Sequence, residues 1–148
     1  MSSKLKVYSA REVSLIVGGL EIDSGFAEGE FISIEPQAED FTDKAGPDGE
    51  VARSAVGDFR ATIKIKLLHT SEGNNILTAL RDLDLVSNGS GIGAFMLRDR
   101  SAGAIIAQAD KVWVQKPPTV SRGREIAETE WTLRAAAMKL NVVGNPAV

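Results

Sequence analysis

Between Phe59 and Leu67 the chain alternates without a break. Phe59, Ala61, Ile63, Ile65 and Leu67 fall on one side, and Arg60, Thr62, Lys64 and Lys66 on the other. A period of two is that of a β-strand, and a strand with one apolar and one charged face belongs to a sheet covered on one side. Immediately afterwards, Thr70-Ser71-Glu72 switches the period to a helical one. Ser71 is the expected N-cap, and Glu72 suits the positive end of the helix dipole. Ile76, Leu77, Leu80 and Leu83 follow at helical spacing, with Arg81, Asp82 and Asp84 turned outward, and Asn88-Gly89 supplies the stop. A helix of about four turns cannot stand alone in water, so its stripe, Leu80 and Leu83 included, is expected against the sheet.

The remaining periodicity is β. "VSLIVGGLEI" (13–22) predicts two short strands meeting at Gly18-Gly19, and "EFISIEP" another that closes at Pro36. "AFMLRDR" and "AGAIIAQADKVWVQK" predict a hairpin around Ser101-Ala102-Gly103, ended by Pro117-Pro118. A last long strand runs through "REIAETEWTLRAAAMKLNVV", where Ile126, Trp131 and Leu133 alternate imperfectly with Glu130, Thr132 and Arg134. Together these give about seven β segments and one helix, a mainly β chain. The expected architecture is an antiparallel β-sandwich or partly open barrel with one flanking α-helix. The 148 residues suit a single domain, 1–148, with an adequate core.

One stretch resists this pattern. Residues 37–57 hold Gly46-Pro47-Asp48-Gly49 among acidic and small residues, and predict a long acidic loop without structure of its own. The wider segment 21–50 has ten acids against Lys44 alone, a charge of −9, which leaves +6 for the rest of a chain with net charge −3. Such a surface is either solvated, or pairs with a basic patch on a neighbouring subunit, or repels polyanions. No basic stripe with interleaved aromatics is present, which argues against ordinary nucleic-acid binding.

The catalytic inventory is nearly empty. His69 is the lone histidine, at a strand end, and reads as structural; Gly-x-Ser-x-Gly is absent. "GSGIG" (89–93) follows a helix instead of opening one, so it reads as a loop and not a phosphate cradle. "EDFTDKAGPDGE" lacks the ligand spacing of a calcium loop. With no cysteine, disulfides and thiolate metal sites are excluded. No cofactor or metal is expected. No apolar run reaches the roughly 20 residues of a membrane helix, and no secretory signal is read at the N-terminus. A small-ligand or carbohydrate-binding module remains an alternative, although aromatics are only 5% of the chain. An enzyme built on a carboxylate pair is a further one.

The order of the pieces resembles the tail tube proteins of contractile-tailed bacteriophages. The likeness is carried by "VYSAREVSLIVGG", "ATIKIKLLHTSEGNNIL", "FMLRDRSAGAIIAQADKVWVQKPP" and "EIAETEWTL". In that family a strand ending in Thr-Ser enters the single helix, and a late Glu-Trp-Thr strand closes the sheet. The fold is related to that of the haemolysin-coregulated protein of type VI secretion. The resemblance implies a non-enzymatic virion subunit, made in the host cytoplasm, that assembles into hexameric rings stacked head to tail. The tail sheath, baseplate and tail-terminator proteins would be its partners, and DNA would pass through the lumen without being held.

On that reading the candidate subunit and ring contacts are Glu39, Asp40, Phe41, Asp43, Lys44, Asp48, Arg60, Lys64 and Lys66. The charged face of the 59–67 strand has two possible placements. It turns to a neighbour and pairs with the acids of 21–50, or it lines the lumen and is offset by Glu128 and Glu130. The first is favoured, because a head-to-tail contact joins two different patches and suits opposite charges.

Overall fold

The computed structural model describes residues 4–148. After a 3-10 turn at Ala10–Glu12, β1 (Val13–Val17) reverses into β2 (Leu20–Ile22). The reversal uses Gly18 and Gly19 at φ +60° and +83°, angles that cost glycine nothing and match the twist of a tight hairpin. The later elements are β3 (Ile32–Pro36), β4 (Phe41–Ala45), β5 (Val51–Ala55), β6 (Ala61–Leu68), α1 (Gly73–Ser87), β7 (Gly93–Asp99), β8 (Ala104–Lys116), β9 (Glu128–Ala135) and β10 (Lys139–Leu140).

One antiparallel sheet runs β2-β1-β7-β8-β9-β6-β3, with β10 continuing beside β8. Its inward residues, from Leu15 and Val17 through Phe95 and Leu133 to Ile63 and Ile65, share one buried cluster. A flat sheet could not do this, so the sheet curls. Space for the largest of these side chains comes from a small partner: Phe95 lies opposite Ala109. Between β2 and β3 the chain crosses from one end of the strand order to the other. There Leu68 N–H donates to Gly25 O at 2.8 Å and Ala27 N–H to Lys66 O at 3.1 Å. The result is the partly open barrel that the alternation implied, with both terminal strands, β2 and β3, left as edges.

β6 is the strand read first in the sequence, and Ala61, Ile63, Ile65 and Leu67 are all buried. Burying each of the three larger side chains stabilises the fold by about 1.5–3 kcal/mol. Phe59 is not part of it: pairing starts at Ala61, opposite Pro36, and Phe59 stays 56% exposed. Ile126 likewise precedes the pairing of β9 and is exposed.

Two further expectations are corrected. Residues 37–57 are not structureless; they contain the β4–β5 hairpin, paired from Phe41↔Ala55 to Ala45↔Val51 as a separate two-stranded sheet. All ten strand residues are exposed, so no apolar face exists for periodicity to reveal. The second correction concerns α1. Leu77 is buried and Leu80 half-buried, but Leu83 is 51% exposed. At about 100° per residue Leu83 sits about 120° around the helix from Leu77, outside the stripe that faces the sheet. The helix ends as expected, with Asn88 left-handed at φ 48° and its N–H bonded to Asp84 O. Its start is one step late: Ser71 Oγ accepts from Gly73 N–H at 3.1 Å, although the residue before the first helical one is Glu72.

Candidate functional site

The strand register sorts the charged residues. On the outer face of the sheet, Thr62, Lys64 and Lys66 of β6 lie opposite Arg134, Thr132 and Glu130 of β9, while Ser33 and Glu35 of β3 border Lys64 and Thr62. Lys64 and Lys66 each place Nζ 3.8 Å from a Glu130 carboxylate oxygen. Within the chain, then, the acid that reaches these lysines is Glu130 and not a residue of 21–50. These groups are well exposed, so the pairs add little stability and chiefly set the charge of the surface. Glu128 opens β9 on the same face, opposite Leu68. Arg134 is the exception to exposure, since its Nε is buried without a hydrogen-bond partner.

The other candidates stand apart from this face. Glu39 and Asp40 lie at the root of the hairpin, Phe41, Asp43 and Lys44 on β4, and Asp48 at the tip. The tip is tightly made: Gly46 N–H donates to Glu50 O at 2.7 Å, and Asp48 Oδ1 accepts Glu50 N–H at 3.2 Å. Arg53 holds its guanidinium 4.3 Å from the centre of the Phe41 ring, a cation–π contact across the two strands. Arg60 is engaged apart from Lys64 and Lys66. It grips Asp58 through Nε at 3.0 Å and Nη2 at 2.8 Å. The side-chain hydrogen bonds from Arg60, and then its backbone N–H, hold the Asp58 carboxyl below its ordinary range. Beside this pair is a cleft of 510 Å³, lined by Pro36, Asp40, Phe59, Arg60, Met138 and Leu140 among others.

The chain is thus a curled wall with one dry face, one charged face and a separate two-stranded ribbon. Residues 7–142 match the family model of the bacteriophage PhiTE tail tube protein. The chain belongs to that family. A curated relative, structural protein ORF10 of Pseudomonas phage KPP10, is 22% identical over 154 residues, covering 100% of this chain and 88% of that one. Solved structures of similar fold come from contractile assemblies and from a gene transfer agent particle. The tube-terminating cap of the anti-feeding prophage superposes with TM-score 0.56 at 10% identity, over 97% of this chain and 96% of that one. A chain of the sheath-tube complex of an extracellular contractile injection system gives 0.55 at 12% identity, over 93% of each. A chain of a gene transfer agent particle gives 0.58 at 12%, over 92% of this chain and 100% of its own.

In this tail tube protein the residue that sequence reasoning missed is Asn74, in the first turn of α1. Its Nδ2 donates to Leu68 O, His69 O and Ser71 O, at 3.0 to 3.3 Å. Its Oδ1 accepts from Thr129 Oγ1 at 2.7 Å and Trp131 Nε1 at 2.9 Å. One amide thus ties the helix to the β6 exit and to β9. The available signal was the pairing of a helix-start Asn with a Thr-x-Trp strand whose indole needs an acceptor. His69 is structural as expected: its Nδ1 accepts Ala127 N–H at 2.9 Å, and its backbone N–H donates to Ala127 O at the same distance. Gly25 completes the junction, because at φ +77° a Cβ would land on the Ser71 hydroxyl. Among the described residues no cluster of His, Cys, Asp and Glu could hold a metal, and no helix is long and apolar enough to cross a membrane.

Proposed function

We propose that this tail tube subunit builds the inner tube of a contractile tail, closing into hexameric rings that stack head to tail around a lumen for DNA. The observation that carries the reading is the sheet itself. One face is dry, the other is charged, and both terminal strands are free edges that neighbours in a ring would cover. The charged face would line the lumen. There Glu35, Glu128 and Glu130 balance Lys64, Lys66 and Arg134, so a passing duplex finds no net basic surface to hold it. The observed Lys64–Glu130 and Lys66–Glu130 pairs support this placement over pairing with the hairpin acids of a neighbouring subunit, and Glu35 of the 21–50 segment already lies on the same face. The hairpin, Glu39 to Glu50 included, would mediate contact between rings. Sheath, baseplate and terminator would meet the outer wall and the ends of the tube. The virion is then the site of action, after assembly in the host cytoplasm.

Negative-stain microscopy of the purified protein tests this directly. Rings or tubes are expected, and dispersed monomers across the accessible concentration range would overturn the reading. A small-ligand or carbohydrate-binding module would find its largest space in the cleft at the hairpin root, whose single aromatic, Phe59, offers no stacking platform. A second hollow of 400 Å³ has Phe26 and Phe31 in its lining, but their rings pack on each other with centroids 4.7 Å apart.

A further inference from the structure

Among the described residues nothing else covers the β4–β5 hairpin. Two strands alone are marginal in water, and this pair has no third strand and no buried residue. Its charge is one-sided: Glu39, Asp40, Asp43, Asp48 and Glu50 outweigh Lys44 and Arg53, and Arg53 is occupied over the Phe41 ring. Whatever covers it should be basic, exposed and placed where a stacked copy can reach it.

The register shows where that is. The hairpin leaves the sheet at the end marked by Pro36↔Ala61 and Ala61↔Ala135. The loop 117–127, between β8 and β9, sits at the other end, beyond Leu68↔Glu128 and Lys116↔Thr132. The length of β6 separates the two, on the order of 23 Å at about 3.3 Å per residue. Nine of the eleven loop residues are exposed. Arg122 bonds only to the carbonyl of its neighbour Ser121, at 2.8 Å, and Arg124 has no carboxylate partner among the described residues. With Lys116 these three bases outnumber the two acids Glu125 and Glu128. Val120 and Ile126, both exposed, offer apolar contact to the exposed Phe41 and Val51. Pro117-Pro118 stiffens the loop entry, which lowers the entropy lost on docking.

Two other basic groups of the sheet fail on position. Lys139 pairs across from Gln108 and Arg98 from Ile105, which puts them at the hairpin's own end. In a head-to-tail stack that end faces the opposite end of the next ring. We infer that the loop 117–127 of one copy is the receptor for the acidic β4–β5 hairpin of a copy in the adjacent ring, with Arg122 and Arg124 meeting its carboxylates. The inference rests on the stacked-ring reading and assigns its missing partner surface.

A charge swap in the full-length protein tests it. Arg122→Glu with Arg124→Glu should leave folding and rings intact but abolish tubes, and Asp43→Lys with Asp48→Lys should do the same. Combining all four substitutions should restore tubes. Should the wild-type chain form no rings at all, the tube reading itself fails. Wild-type tubes together with normal tubes from the loop variant would overturn the receptor assignment alone, as would loss of tubes that the combined variant does not rescue. If the glutamates disturb folding, judged by the thermal melt, Arg122→Ser with Arg124→Ser serves instead, and undiminished tube length in that variant also overturns the assignment.

Discussion

β6 and the β4–β5 hairpin are separated by five residues of chain, yet they are opposite kinds of structure. Both are antiparallel and fully paired. In β6 every second residue is buried, and the strand has partners on both sides, β3 and β9. In the hairpin no residue is buried and each strand has one partner. β6 therefore has a second backbone partner that the hairpin strands lack, but the larger distinction is energetic. The difference is apolar burial, worth about 1.5–3 kcal/mol for each large side chain, against about 0.2–1 kcal/mol for each exposed cross-strand pair. The wall stabilises itself. The hairpin is shaped by its turn and left for something else to cover.

The sharpest test of that contrast is Ile65→Ala, at a residue with no exposed surface. It should destabilise the fold by about 2–5 kcal/mol, read as a shift of the urea midpoint at unchanged slope. A loss below about 1 kcal/mol would mean that the buried face of β6 does not carry the wall.

Asn74→Ala comes next, with an expected cost of about 1–3 kcal/mol, because it strands the Trp131 indole N–H in a buried position. Tryptophan fluorescence during unfolding would show it. An unchanged midpoint would reduce Asn74 to a bystander at the helix entry.

Removing the hairpin should do little to the fold. Val56 N–H already donates to Asp40 O at 3.0 Å, so an Asn-Gly turn can replace residues 41–55. Stability should change by no more than about 0.5 kcal/mol, while tubes disappear. Normal tubes from this variant would end the idea that the ribbon joins rings.

The smallest effect belongs to Asp58. Hydrogen bonding to Arg60 lowers its carboxyl in the folded state, so its contribution is present above the ordinary carboxylate value and fades as pH falls through the lowered folded one. Solvent screens the pair, so Asp58→Asn should lower the neutral plateau only slightly and flatten the acid limb of the stability profile. A change in stability at neutral pH larger than that of the hairpin deletion would contradict this ranking.

Reading the sequence alone worked wherever a segment met the core. The alternation of β6, the Gly18-Gly19 reversal, the β7–β8 hairpin and the stop at Asn88-Gly89 are local consequences of side-chain period and backbone freedom, and each forms at its expected place. The sequence also determined which face of β6 is charged. It did not determine what that charge meets. Glu130 lies 64 residues from Lys66, and only the antiparallel register of β6 and β9 sets them opposite each other. The same holds for Asn74, whose five hydrogen bonds join three segments that no local pattern connects. Leu83 was misread because helical spacing defines a stripe but not its width, and the sheet touches only the part centred on Leu77. The hairpin was missed for the reverse reason. A ribbon exposed on both faces has no burial to impress a period on its residues, so its existence, and its place at the opposite end of the wall from Arg122 and Arg124, were decided by the tertiary structure.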